Sequence, residues 1–192
     1  LVMSIGHKGG NIRKVIGNFP QETKEKISDT YIGERRNRRD RAGRGLEYGY
    51  EFTFDLIGNF GIYRDLHRHR MLTQQRQKLT TRLEFFVPQE IYDVKLADSV
   101  WEAESRSSEL YERIESEFPE EAQYVTLFGH NIRWNLGMNE REAMHLLELR
   151  TIPQGHQDYR RMCKKMHNYI RERNSMAAKR MRFVDHNQYP FA

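Results

Sequence analysis

The clearest strand prediction comes from residues 48–56, where apolar and polar side chains alternate. The apolar positions are Tyr48, Tyr50, Phe52, Phe54 and Leu56. A period of two is typical of a β-strand that buries one face. Asn59 is a suitable N-cap for a helix that begins at Phe60 and gives out near Arg68. A second alternation over residues 83–87 predicts another strand.

Two segments in the first two thirds of the chain have the apolar spacing of helices that bury one side. The first helix starts after Pro20, and its apolar side is formed by Ile27, Tyr31 and Ile32. The second spans Leu96–Phe118 and carries one buried stripe. We expect Trp101, within this helix, and Trp134 to be core residues.

Two further helices are predicted near the carboxyl end. Asn139 followed three residues later by Glu142 resembles a capping box, which predicts a helix from Glu140 to about Arg150. The last helix presents an apolar stripe of Tyr159, Met162, Cys163, Met166 and either Tyr169 or Ile170.

The order of these elements predicts the fold class. Helix, strand, helix, strand and then helices favour an α+β fold, with a small, mainly antiparallel sheet packed against long helices. The 192 residues suit one domain. We expect residues 1–46 to be a helical and basic segment of that domain, residues 47–175 its core and residues 176–192 a basic tail.

Composition excludes several classes of protein. Aromatic residues make up 11% of the chain, which argues against disorder. No apolar run approaches the roughly 18 residues of a membrane span, and no signal peptide is visible, so we expect a cytoplasmic protein. A single cysteine, Cys163, excludes an internal disulfide and a thiolate zinc site, and we expect it to be a core residue.

Six arginines lie between Arg35 and Arg44, which predicts a loop or an exposed helix end. Clustered arginine and an isoelectric point near 9.3 fit a nucleic-acid-binding module. The 27 acidic residues are interspersed, however, and no helix-turn-helix or RNA-recognition signature is present. A solvated basic surface, or a contact with sequence upstream, is the preferred interpretation.

The segment Arg68-His69-Arg70 concentrates basic groups where a helix is predicted to end. Arginine forks bind phosphate in a bidentate manner, so two arginines around a histidine could hold a pyrophosphate or orient a flat heteroaromatic ring. The alternative is that these cations neutralise a helix C-terminus. We expect no metal here, because His67 and His69 would point apart on a helix and no carboxylate triad accompanies them.

A second basic group surrounds the predicted helix Glu140–Arg150. Its members are Arg133, Asn139, Arg141, His145 and Arg150. The last three fall near one face of the helix, since positions four apart align. Asn139 lies at the helix N-terminus, where free backbone N–H groups favour an anion. The alternative is that Asn139 is only a cap and that the other side chains are solvated.

Two sequence blocks resemble those of flavin-dependent thymidylate synthases. The first is Phe52-Thr53-Phe54, then Arg64, then Arg68-His69-Arg70; the second is Asn139-Glu140-Arg141 followed by His145-Leu146-Leu147-Glu148-Leu149-Arg150, with an Arg133 match before it. The similarity covers residues 47–170. It implies that family's α+β fold.

The resemblance also implies an activity. The enzymes of that family are homotetramers that methylate dUMP to dTMP with methylenetetrahydrofolate, using FAD that NADPH reduces. By similarity, the FAD contacts would be Arg68, His69, Arg70, Asn139, Arg141 and His145. The contacts to dUMP would be Arg133, Arg150 and, shared between both ligands, Arg68. The arginine at position 150 would activate the uracil ring by stabilising its ionised form.

Three segments depart from the family pattern. Residues 71–80 lack the serine-centred stretch that embraces the nucleotide, Asp65 stands where glutamine is usual, and residues 43–47 lack a histidine. Flavin contacts are therefore better retained than nucleotide contacts. The alternative function is a non-catalytic FAD-binding or partner domain of a tandem or hetero-oligomeric assembly.

Overall fold

A computed structural model describes residues 14–49 and 51–189. Residues 14–17 are helical, and the remaining helices are α1 (Gln21–Ile32), α2 (Phe60–Leu66), α3 (Gln89–Asp93), α4 (Ala97–Ile114), α5 (Glu140–Arg150), α6 (Gln157–Arg173) and α7 (Ser175–Arg180). The strands are β1 (Phe52–Asn59), β2 (Thr73–Arg76) and β3 (Asn131–Met138), and short 3-10 turns span Arg44–Glu47 and Glu121–Val125. The predicted α+β class is confirmed. Within the described ranges, no helix has the length and apolar character needed to cross a bilayer.

The sheet is small and antiparallel, as predicted, with β3 in the middle. β1 pairs with β3 along its whole length, from Phe52 opposite Met138 to Asn59 opposite Asn131. β2 pairs with the other edge of β3, with Thr73 opposite Gly137. The central strand was missing from the sequence prediction. Because β3 leads directly into α5, the sheet fixes where the first turn of that helix lies.

One face of the sheet packs on α5 and α6 to form the core. Trp134, Leu136 and Met138 are buried on this face of β3, and Leu147 of α5 and Met166 of α6 join the same cluster. The burial of Trp134 and Cys163 confirms their prediction as core residues. The stripe of α6 continues through Ile170, which is buried, while Tyr169 is exposed.

Two strand predictions need correction. The alternation over residues 83–87 forms no strand: Phe85 makes only an isolated bridge with His130, because backbone bonds hold residues 84 and 86 there and Pro88 turns the chain away. β1 begins only at Phe52, and Tyr48 is 83% exposed outside it. Gly49, at a φ of 73°, interrupts the extended backbone. Tyr50 lies outside the described residues.

The helix predicted over residues 96–118 is also different from the expectation. α4 ends at Ile114 and buries only Ser107 and Tyr111, because it packs mainly on the 3-10 turn Glu121–Val125. Trp101 is 41% exposed and touches Phe85, so its prediction as a core residue was wrong. In α1, likewise, Ile32 is buried while Ile27 and Tyr31 of the predicted apolar side are exposed.

Candidate functional site

The amino-terminal turn of α5 is held by Asn139, the predicted cap. Its Oδ1 accepts a hydrogen bond from the backbone N–H of Glu142 at 2.9 Å. Its Nδ2 donates to the carbonyl of Glu47 at 3.0 Å. Only this half of the capping box forms, because the Glu142 carboxylate turns toward another partner.

That partner is His69, which follows the end of α2. His69 Nδ1 lies 2.8 Å from Glu142 Oε1, and both side chains are buried. Arg150 Nε donates to His69 Nε2 at 3.0 Å. Since a guanidinium only donates, Nε2 is the acceptor and Nδ1 carries the hydrogen given to Glu142. The network therefore fixes the orientation of the His69 ring and the hydrogen-bonding role of each ring nitrogen.

Arg150 is held on three sides within the chain. Besides its bond to His69, its Nη2 donates to the carbonyl of Asp65 at 2.7 Å. Its guanidinium lies over the ring of Tyr159, 5.3 Å from the centroid. The end of α2 and the last turn of α5, two segments far apart in the chain, are thereby joined. Among the described residues, Nη1 has no hydrogen-bond partner.

A cavity of about 650 Å³ opens beside this network. Its polar lining includes Arg38, Arg39, Arg41, Asn139, Arg141 and His145. Burial lowers the pKa of His145 below its ordinary value, partly offset by the charge of Glu142. The ring of His145 lies 5.4 Å from that of His69, so the cavity and the buried network share a wall.

The structure brings together five of the residues that the sequence singled out: His69, Asn139, Arg141, His145 and Arg150. Arg141 forms an ion pair with Glu47, whose backbone also receives Asn139. All five lie on or against α5, which contains Arg141, His145 and Arg150 and is capped by Asn139.

The other predicted residues lie apart from the cavity lining. Arg68 is exposed and lies 3.5 Å from Asp65, and Arg70 is also exposed. Arg133 projects from the open face of the sheet and forms a two-pronged ion pair with Asp55, 3.0 Å from Nε to Oδ1. The hydrogen bonds from Arg133 hold the pKa of Asp55 below its usual value.

Two features of the site escaped the sequence analysis. Glu142 was interpreted only as a capping residue, whereas it orients His69. The cluster Arg35–Arg44 was interpreted as a solvated surface or a contact with upstream sequence. Arg39 and Arg41 are exposed, as that interpretation predicts, but with Arg38 they also line the cavity, and Arg35 is buried. No local signal reveals either role, because both depend on contacts between segments far apart in the chain.

The cavity suits a flavin dinucleotide in size and in the chemistry of its donors. Ligand pockets are commonly about 300–1,000 Å³. The arginines of the cavity lining can each donate two hydrogen bonds to phosphate oxygens. The adjacent amino-terminal turn of α5 favours negative charge. The three acids of the lining are already engaged: Asp40 with backbone N–H groups of its own turn, Glu47 with Arg141, and Glu142 with His69.

Comparison with known proteins gives a consistent family. The family model described as thymidylate synthase complementing protein matches residues 21–174. A UPF0159 protein from Chlamydia pneumoniae is 42% identical over 169 residues, which are 88% of this chain and 32% of that protein. A UPF0159 protein from Chlamydia muridarum is 38% identical over 182 residues, 95% of this chain and 34% of that protein.

A more distant relative extends the comparison to an archaeon. A UPF0159 protein from Thermoplasma acidophilum is 34% identical over 158 residues, 81% of this chain and 32% of that protein. The chain spans about a third of the length of each of these three relatives.

Proposed function

Because the chain belongs to the family described as thymidylate synthase complementing protein, we propose that it is a flavin-dependent thymidylate synthase-like protein that methylates dUMP to dTMP. Membership of this family confirms the resemblance seen in the two sequence blocks. The observation that carries the proposal is the convergence of the first block on the second: His69 lies between Glu142 and Arg150 of α5, beside a cationic cavity.

In this proposal FAD occupies the cavity and is held by Asn139, Arg141 and His145 of its lining. The resemblance also assigns Arg68, His69 and Arg70 to FAD, and these three lie outside that lining. Bound flavin supplies the redox chemistry, with NADPH as the reductant and methylenetetrahydrofolate as the carbon donor. The protein binds and orients the reactants and provides charge. His69, oriented by Glu142 and Arg150, lies beside the ring of His145 in the lining. Arg141 offers guanidinium donors once Glu47 yields to a stronger anion.

The nucleotide dUMP is assigned to Arg150, Arg133 and Arg68. Arg150 acts electrostatically: it stays protonated and stabilises negative charge on the uracil ring, and it removes no proton. Its Nη1 is the part of the guanidinium that can meet the ring while Nε and Nη2 remain bonded. Arg133 would release the exposed carboxylate of Asp55 and bind the nucleotide in its place.

A second candidate is a non-catalytic domain that binds FAD and completes a site in a tandem or hetero-oligomeric assembly. Three observations favour it. Arg150 is bonded within the chain through two of its three nitrogens, and residues 71–80 contain a strand, β2, and no serine. The chain also spans only about a third of its relatives.

Purified full chain tests both candidates. We expect a flavin absorbance spectrum after reconstitution with FAD, and release of tritium from the 5-position of labelled dUMP when methylenetetrahydrofolate and NADPH are supplied. Arg150→Ala should abolish release without removing the flavin. Arg161→Ala, an exposed position on α6, is the matched control and should leave both unchanged.

Each outcome separates the candidates. Bound flavin with no tritium release contradicts the synthase and supports the partner domain. Release that survives Arg150→Ala contradicts the role given to that arginine. Absence of flavin binding contradicts both candidates.

A further inference from the structure

The cluster Arg35–Arg44 is an ordered turn with a buried anchor. Arg35 donates from Nη1 and Nη2 to the Glu148 carboxylate at 2.7 and 2.5 Å, and from Nε to the carbonyl of Asp40 at 2.8 Å. Asp40 Oδ2 in turn accepts from the backbone N–H groups of Arg36 and Asn37, at 2.7 and 3.1 Å. These bonds fix the backbone of the turn against α5.

The anchored turn presents three other arginines to the cavity. Arg38, Arg39 and Arg41 line it, and the charge of Arg38 contributes to the lowered pKa of His145 across the cavity. Among the described residues, none of the three forms an ion pair with a carboxylate. They form an unneutralised group of like charges on a rigid support.

The acids nearby are engaged elsewhere. Asp40 is bonded to the backbone of its own turn, Glu47 pairs with Arg141, and Glu142 bonds to His69. Like charges held together without a counter-ion raise the free energy of the folded state, and an anion bound among them removes that cost. The arrangement therefore predicts an anionic ligand with several oxygens.

We propose that Arg38, Arg39 and Arg41, with Arg141 of α5, which lines the same cavity, form a pyrophosphate-binding site. Each guanidinium can donate two parallel hydrogen bonds to a phosphate group. Four arginines therefore match the oxygens of a diphosphate better than those of a single phosphate. The volume of about 650 Å³ leaves room for a nucleotide attached to it. If the diphosphate that binds here is that of FAD, this assignment rests on the proposed function. ADP and inorganic pyrophosphate also contain a diphosphate, so the site should bind them as well.

Calorimetric titration of the full chain tests the site. The probes are FAD, FMN, ADP, inorganic pyrophosphate and inorganic phosphate. In the triple variant Arg38→Ala/Arg39→Ala/Arg41→Ala we expect affinity for FAD, ADP and pyrophosphate to fall at least tenfold, which is about 1.4 kcal/mol. FMN and phosphate, which lack a diphosphate, should be affected less.

Arg36 offers a matched control in the same turn. It is exposed, pairs with Glu34 at the surface and does not line the cavity. Arg36→Ala should change no affinity by more than about twofold, since surface pairs contribute little. Arg35 is left intact in every variant, and a melting temperature no lower than that of the wild type shows that the turn remains folded. Replacing the three cavity arginines by lysine should restore only part of the affinity, because lysine keeps the charge but lacks the fork.

The outcomes distinguish this site from the proposed function. Wild-type FAD affinity in the triple alanine variant overturns the pyrophosphate site and leaves the flavin proposal standing. Binding of pyrophosphate and ADP without FAD supports the site and contradicts the flavin function. Binding of a single-stranded oligonucleotide that pyrophosphate fails to displace overturns the site in favour of a nucleic-acid surface.

Discussion

The ion pair between Arg35 and Glu148 gives the sharpest test of how the arginine turn is attached to α5. The two side chains are only 3% and 1% exposed. Replacing Arg35 with methionine fills much of the space but removes five hydrogen bonds, two of them to the carboxylate. Glu148 is then left with the backbone N–H of Phe183, at 3.4 Å, as its nearest donor.

The expected cost is large because the remaining charge stays buried. Removing one partner of a buried pair destabilises by about 3–5 kcal/mol. Total stability of a domain is roughly 5–15 kcal/mol, so Arg35→Met removes a substantial share of it. For a domain of this length, each kcal/mol lowers the melting temperature by about 2–4 °C, which gives a loss of roughly 6–20 °C.

Urea unfolding, followed by circular dichroism, measures the loss. Arg36→Met is the control, since it breaks an exposed pair of the same turn and should cost less than about 0.5 kcal/mol. Adding Glu148→Gln to Arg35→Met should recover part of the stability, because it removes the unpaired charge. A cost below about 1 kcal/mol for Arg35→Met, or no recovery in the double variant, would refute the reasoning.

Three further predictions concern other parts of the chain. Burial raises the pKa of the Cys163 thiol to about 12, so a thiol reagent should label it only in denaturant; fast labelling of native protein would contradict this. Asn139→Ala should lower the free energy of unfolding by about 1 kcal/mol through loss of the helix cap, whereas Asn139→Asp should cost less. His167 Nδ1 lies 2.8 Å from His186 Nε2, and burial lowers the pKa of both rings. The folded state then binds fewer protons than the unfolded state, so stability is complete above about pH 6.5 and is lost as the pH falls through the folded-state values. His186→Gln keeps a donor without titrating, and its stability should fall less between pH 7.5 and 5.5; an unchanged slope would contradict the assignment.

Local signals account for the parts of the fold that the sequence predicted correctly. Helix α5 has its cap, Asn139, and its last residue, Arg150, within twelve positions, and the structure has the same bounds. The prediction of β1 was correct only from Phe52 onward. The aromatic residues on either side of Gly49 fit the alternation, but the backbone of Gly49 interrupts the extended conformation there. β3 shows how a local signal can be overlooked: Ile132, Trp134, Leu136 and Met138 alternate with Asn131, Arg133, Asn135 and Gly137.

The contacts of the candidate site depend on tertiary packing. His69 and Glu142 are 73 residues apart, and Arg35 and Glu148 are 113 apart. A charged residue on a helix is usually solvated, so its spacing in the sequence does not reveal whether it is buried with a partner. Trp101 illustrates the converse, because its size favours burial but α4 has little for it to pack against.

The bond from Arg150 to His69 couples the position of this arginine to that of the histidine. While that guanidinium is docked, both imidazole nitrogens are engaged, one as donor and one as acceptor. Glu142 and Arg150, from the first and last turns of α5, therefore both bond to one side chain that follows the end of α2. A ligand that meets only Nη1 leaves this arrangement in place, whereas one that draws the whole guanidinium away also releases His69 from one of its two hydrogen bonds.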